Sequence, residues 1–349
     1  MSEVVEEVLT VEDSEAVFDL YWSREWTDGL PIVPPTREAV GEFLAHAGVE
    51  PGVVVGELPE RNRVFTAEKV AINAVMAGCL PDYFPVVLAA WQAISAPEYC
   101  LNSAGTSTSG TAPLLIVNGP IVKRIGMRAK GNVLGPGNRA NATIGRAIRL
   151  LLINLAGSAG DLDKACIGHP GKYSYCIAED EEERPGWESL AVSRGFSAEE
   201  SAVTVLHAEG PQSVREDSAQ QPGAMLENFA DHIRRWNQGG AGVILMNPEH
   251  RAIAQGAGWT KADVSRHLYE RSARTVADLK RVGRLRGGIE PGDEERLHRW
   301  ARGPEDFLVV GAGSTGMFSA VIPPWAGGPF SDPVTKLVPD PGCAGECFI

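Results

Sequence analysis

The chain has 349 residues, a formal net charge of -13, 44% hydrophobic and 22% charged residues. There is enough apolar side chain for a large core, which excludes a disordered chain, and the acidic balance disfavours nucleic acid and anionic lipid surfaces as partners. No apolar run approaches the length of a membrane span and acids crowd the first seven residues, so a cytoplasmic protein without a membrane partner is expected.

Apolar spacing at Val17, Leu20 and Tyr21 predicts a helix over 12–26, and prolines at 31, 34 and 35 impose an extended path after it. Thr36 is placed to cap a helix over 37–47, and a strand follows over 52–56. Thr66 opens a helix over 67–77 that Gly78-Cys79 closes, and Pro81 starts another to about 94. Both are apolar enough to be core. A Ser/Thr/Gly-rich loop over 101–112 leads into an apolar run over 113–118, read as a buried strand ending in Asn118-Gly119-Pro120.

The glycine-rich stretch 131–141 opens onto an amphipathic helix with Ile144, Ile148, Leu151 and Leu155 on one face and Arg146 and Arg149 on another. Strands are expected over 173–177, 203–207, 242–247 and 307–310, and helices over 223–237, 248–256, 260–271 and 293–301. This alternation predicts an α/β fold, with mixed or parallel sheets flanked by helices. The similar strand ends at Asn118 and Asn247 permit two related lobes around a cleft: an N-terminal α/β lobe over 1–160 and a C-terminal α/β lobe over 161–338, followed by a flexible Cys-containing tail over 339–349. Ligands are expected where the strand ends collect at one edge.

Several groups are candidates for chemistry. Gly137, Asn138, Arg139 and Asn141 lie where backbone N–H groups at a helix start attract an anion, and Arg139 adds a guanidinium fork; the alternative is a plain connection with Asn141 as helix cap. Asn118 and Lys172 join them as substrate-binding candidates. Gly311-Ala-Gly313-Ser-Thr-Gly316 has dinucleotide-loop spacing, but prolines at 323 and 324 follow too soon for the rest of that motif, so a nicotinamide cofactor is not expected. Gly-x-Ser-x-Gly, His-Glu-x-x-His and paired Cys-x-x-Cys motifs do not occur, which disfavours serine hydrolase and zinc protease chemistry.

Six cysteines in so long a chain do not form a disulfide framework. Cys79 sits at a helix end. Strand alternation groups Cys176 with Ser174 and Lys172 on a polar face, where a nearby ammonium would favour a nucleophilic thiolate. Cys343 and Cys347 on the tail are placed to recharge an internal thiol or to hold a soft metal ion, much as dithiol arms serve ribonucleotide reductases. His169, His207 and His250 are acid–base candidates, and the position of His250 after a strand end favours it.

Four blocks, Trp26-Thr-Asp-Gly-Leu-Pro-Ile-Val-Pro-Pro-Thr36, Glu68-Lys-Val-Ala-Ile-Asn-Ala-Val-Met-Ala-Gly-Cys79, Gly137-Asn-Arg-Ala-Asn-Ala-Thr-Ile-Gly-Arg146 and Gly171-Lys-Tyr-Ser-Tyr-Cys-Ile-Ala-Glu179, resemble an uncharacterised bacterial family. That family is often encoded beside a (seleno)protein with a UGSC (Sec/Cys-Gly-Ser-Cys) motif, so the resemblance implies shared redox or carbon–heteroatom chemistry with a redox partner protein. The expected function is a thiol-dependent enzyme, a lyase or oxidoreductase, that cleaves or reduces a carbon–heteroatom bond of a small anionic substrate, with Cys79 or Cys176 as the thiolate. Two alternatives remain: a soft-metal enzyme using the same cysteines, and a non-catalytic substrate-binding subunit of a redox complex. The composition also permits a homo-oligomer.

Overall fold

The computed structural model describes residues 14–157, 163–182, 184–325 and 331–340; Cys343 and Cys347 lie outside the described residues. Helices α1 (Ser14–Ser23) and α2 (Arg37–Ala47) lead to strands β1 (Val54–Leu58) and β2 (Arg63–Thr66), then α3 (Ala67–Ala77), α4 (Phe84–Ser95), α5 (Leu101–Gly105) and β3 (Ala112–Asn118). Next come α6 (Pro120–Arg124), α7 (Arg139–Asn154), β4 (Cys176–Ala178), α8 (Leu190–Ser193), β5 (Ala202–Ala208) and β6 (Gln212–Arg215). The chain continues through α9 (Pro222–Ile233), β7 (Gly242–Met246), α10 (Pro248–Gly256), α11 (Lys261–Arg271), β8 (Arg274–Thr275) and α12 (Val276–Arg281). It ends in β9 (Leu297–His298), β10 (Phe307–Gly311), β11 (Phe318–Ile322) and β12 (Val334–Leu337).

Local chemistry sets the helix ends. The Thr36 and Thr66 hydroxyls accept from the Ala39 and Lys69 N–H groups, and Gly78 closes α3 at φ 86°, where a side chain would be strained. The cap of α7 is Asn138 rather than Asn141, since its side chain accepts the Asn141 N–H. Residues 293–301 are not helical: apolar Leu297 and Trp300 alone give no stripe, and Leu297 instead pairs with Thr275 of β8.

Two four-stranded mixed sheets carry the architecture, in the orders β12-β5-β3-β4 and β6-β11-β7-β10. They share one plan. The second strand from one edge (β3 or β7) runs parallel to the edge strand reached by a helical crossover (β4 or β10). It runs antiparallel to its other neighbour (β5 or β11), and the fourth strand is again antiparallel. Asn118 and Asn247 close the two equivalent strands β3 and β7. The outermost strands are exchanged: after β5 the chain crosses to the second sheet as β6, and after β11 it returns to the first as β12. The first sheet therefore draws β4, β5 and β12 from beyond residue 160, so the expected division at 160/161 falls inside a sheet.

Alternation along the strands sorts the side chains into three cores and gives four layers. Leu114 and Ile116 of β3 and Leu206 of β5 meet Val243 and Leu245 of β7 and Leu308 and Val310 of β10 between the sheets. Leu115, Val117, Val203 and Val205 face the other way onto α3, α4 and α7. On the far side, Ile244, Met246 and Val309 pack on Phe229 of α9 and Val264 and Leu268 of α11. Each fully buried side chain of this size contributes roughly 1.5–3 kcal/mol. Among the described residues no helix is long and apolar enough to cross a membrane.

Candidate functional site

The four sequence blocks converge on α7. The Arg146 guanidinium donates to both Asp28 carboxylate oxygens at 2.9 Å and to the Leu30 carbonyl at 3.1 Å. Burial works against the Asp28 charge, but the Arg146 hydrogen bonds and charge outweigh it and hold that carboxyl below its usual range. Arg139 donates to the Gly78 carbonyl at 3.0 Å, and the Val33 N–H to that of Met76 at 3.1 Å. Gly145 lets α7 lie directly on β4: a Cβ there would stand 2.4 Å from Ser174 Oγ and 3.2 Å from the Cys176 Cβ.

This convergence brings Cys79 and Cys176 together in one core. Burial pushes the Cys79 thiol up to about 12, although a Thr143 hydrogen bond and the charges of Arg139 and Arg146 pull the other way. Burial, with Cys79 adding to it, pushes Cys176 up as well. The expected polar face with Lys172 does not form: Cys176 points into the helix-side core, while Lys172 sits in a separate turn at 170–172. Both thiols are therefore neutral at pH 7 and poor nucleophiles as they stand.

The 135–141 turn adjoins this pair but satisfies itself. The Arg128 guanidinium donates to the Pro136 and Gly137 carbonyls at 3.1 and 3.3 Å, which places it 3.6 Å from where a Cβ on Gly137 would stand. Asn138 caps the helix and donates to the Gly126 carbonyl at 2.8 Å; Asn141 accepts from the Arg128 N–H and donates to its carbonyl, both at 2.9 Å. Gly137, Asn138 and Asn141 thus hold protein groups where an anion was expected. Asn118 is closed off too. Its amide donates to Glu179 and Glu181 at 2.8 and 2.9 Å, and buried Glu179 further accepts from Lys261 at 2.6 Å and the Leu190 N–H at 2.7 Å. The edge where β3, β4, β7 and β10 end is packed with such pairs, including Arg251 with Asp180 and Glu182. Gly311-Ala-Gly313-Ser-Thr-Gly316, at the same edge, leads into β11 rather than a helix.

An open cleft lies at the opposite end of β3. It measures about 530 Å³ including solvent at its mouth. Its walls come from Leu101 and Ala104 of α5, Thr111 to Pro113 at the start of β3, Gly145, Ile148, Arg149 and Leu152 of α7, and Asp163, Gly171 and Lys172; Tyr99 and His207 also line it. Lys172 donates to Asp163 at 3.1 Å and Arg149 donates to the same carboxylate at 3.0 Å. Burial disfavours the Asp163 charge, but the two cations more than offset it and hold the carboxyl below its usual range. Two cations against one carboxylate leave this wall positive. Gly145 is shared with the thiol pair, so Cys176 stands behind the cleft wall.

The three histidines differ in what their rings have left to offer. His250 is fully buried with both nitrogens used: Nε2–H donates to the Glu216 carbonyl at 2.8 Å, so Nδ1 accepts from Ser319 Oγ at 2.6 Å. It touches neither cleft nor thiols. His169 accepts from the Gly171 N–H and meets the Ala208 carbonyl. His207 alone lines the cleft with a ring nitrogen to spare: Nε2 meets the Tyr99 carbonyl at 2.7 Å, and Nδ1 is buried without a partner among the described residues. Burial pushes its pKa down to about 4, so it is neutral at pH 7.

Of the expected site residues, the structure brings Arg139 beside Cys79 and Cys79 beside Cys176, and puts Lys172 in the cleft. Cys343 and Cys347 lie outside the described residues. Asp163 and Tyr99 were not foreseen, and nothing in the sequence marks them. Arg149 showed as the second arginine on the polar face of α7, and His207 as a histidine inside an apolar strand. Among the described residues no three His, Cys, Asp or Glu side chains gather as metal ligands. No protein-family model, curated protein or solved structure matches the chain.

Proposed function

We propose that the protein is an enzyme acting on a small carboxylate bound in the Lys172 cleft. The observation that carries this reading is the shared Asp163: Lys172 and Arg149 converge on one acid, leaving a positive wall in an otherwise largely apolar cleft. Such a wall favours a monoanion whose remainder is apolar or neutral. NMR titration of the labelled protein tests it: propionate shifts the amide signals of Thr111, Gly171 and Lys172, propionamide does not, and K172M removes the response. Equal responses to acid and amide would refute the anion site.

A second reading is favoured by one contact, that of Gly145 with Cys176. Here the thiol pair takes part in cleavage or reduction of a carbon–heteroatom bond of the same substrate, once access lowers the cost of ionising one thiol. For the reduction, the partner protein implied by the family resemblance supplies the two electrons, and a soft metal on Cys343 and Cys347 is the variant of this scheme. Free thiols suit a reducing compartment such as the cytoplasm. Loss of turnover in C79A and C176A with unchanged carboxylate binding is the outcome this second reading requires.

A further inference from the structure

Two uncharged polar residues of the cleft, Tyr99 and His207, add a requirement that the cations do not. The Tyr99 and His207 rings lie with centroids 3.9 Å apart, tilted by 37°, and the residues are 0% and 4% exposed. The His207 tautomer is fixed by its neighbour: a carbonyl only accepts, so the nitrogen facing the Tyr99 carbonyl carries the hydrogen and Nδ1 keeps a lone pair. The Tyr99 hydroxyl is held in its protonated form by burial. Both Nδ1 and the Tyr99 hydroxyl are buried without a hydrogen-bond partner among the described residues. Folded proteins seldom leave such atoms unpaired, and here a bare acceptor and a bare donor occur on two neighbouring rings whose residues line one cleft.

A group that answers both must donate and accept. An ionised carboxylate only accepts, an ammonium only donates, and a methyl group does neither; a hydroxyl does both. We propose that the substrate is a small hydroxycarboxylate, its acid group on Lys172 and Arg149 and its hydroxyl between Tyr99 and His207. The hydroxyl hydrogen goes to His207 Nδ1, and the Tyr99 O–H donates to the hydroxyl oxygen. This inference rests on the reading of the cleft as an anion site and names the class of anion.

Matched acids test it on the full-length protein by NMR or calorimetric titration: glycolate against acetate, lactate against propionate, and 3-hydroxybutyrate against butyrate. Sites built around a hydroxyl discriminate strongly against the analogue lacking it, so at least one hydroxy acid is expected to bind about tenfold or more tighter than its partner. Y99F removes a single oxygen and H207L removes the lone pair; each brings that ratio toward one while leaving affinity for the deoxy acid in place. K172M weakens both members of the pair equally. If H207L does not fold, the wild-type pairs and Y99F decide the matter alone. Equal affinity within every pair overturns the hydroxyl assignment but leaves the anion site standing, whereas absence of binding by any acid removes both.

Discussion

Mild acid will destabilise this protein through His207 before its carboxylates begin to protonate. The ring is buried between Tyr99 and Trp325, with centroids 3.9 and 5.0 Å away, and the residue shares the cleft lining with Lys172, Arg149 and Asp163. Burial pushes its pKa from 6.5 to about 4, while in the unfolded chain it titrates at its ordinary value. The unfolded state therefore takes the proton first, so stability is complete above about pH 6.5 and falls as the pH drops toward 4. At 1.36 kcal/mol per unit, the full loss is about 3 kcal/mol, of which about 2 kcal/mol is reached at pH 5. His169, His232 and His298 are pushed down by burial as well and add to the same window. Asp28, Asp163 and Asp293, held low by their cationic partners, lose their contribution only as the pH falls below the ordinary carboxylate range near 4. Urea unfolding of wild type and H207Q at pH 7.5 and 5.0 isolates the His207 share. The variant should lose about 2 kcal/mol less than wild type over that interval. Identical losses in the two proteins would show that His207 titrates normally in the fold and is not held neutral by burial.

Thiol labelling at pH 7 should modify exposed Cys166 quickly and leave Cys79 and Cys176 protected, as read by mass spectrometry; rapid labelling of either buried thiol contradicts their raised pKa values. E179A strands Lys261 at a buried strand end and should cost about 3–5 kcal/mol in urea unfolding, with part recovered in the E179A/K261M double variant. G119A sets a Cβ 2.2 Å from the Glu200 carbonyl oxygen at φ 86°, and should lower stability by more than about 1–3 kcal/mol; an unchanged unfolding midpoint argues against this backbone path.

Elements whose signals are local could be read from the chain. Thr36 and Thr66 announce their helices, Gly78 ends one, and the apolar runs of β3, β7 and β10 are unmistakable strands. The exchanged strands were not legible: Gln212-Ser-Val-Arg215 and Val334-Thr-Lys-Leu337 are short, half-polar edges whose partners are remote in sequence. The site was legible only in part, for the same reason. Lys172 and Cys79 carry their chemistry in their residue type, but whether a thiol meets a lysine or another thiol depends on which face of a three-residue strand packs inward. Strand alternation carried back to Lys172 failed because residues 170–172 form a helical turn. His250 was favoured from its place after a strand, whereas packing fills both of its nitrogens and, of the three candidates, leaves His207 with a lone pair to offer among the described residues.

The crossing-over of β6 and β12 has a consequence for how the molecule is made. On the ribosome, β3, β4 and β5 emerge long before the ribbon that borders them, because β12 ends at residue 337. Until then the outer edge of β5 is an open template for any passing strand, the condition under which nascent chains stick to one another. Two fragments cut between β6 and α9 would each lack one border strand and hold the other's, so neither is expected to be a folded unit by itself, and mixing them is the route by which both could close.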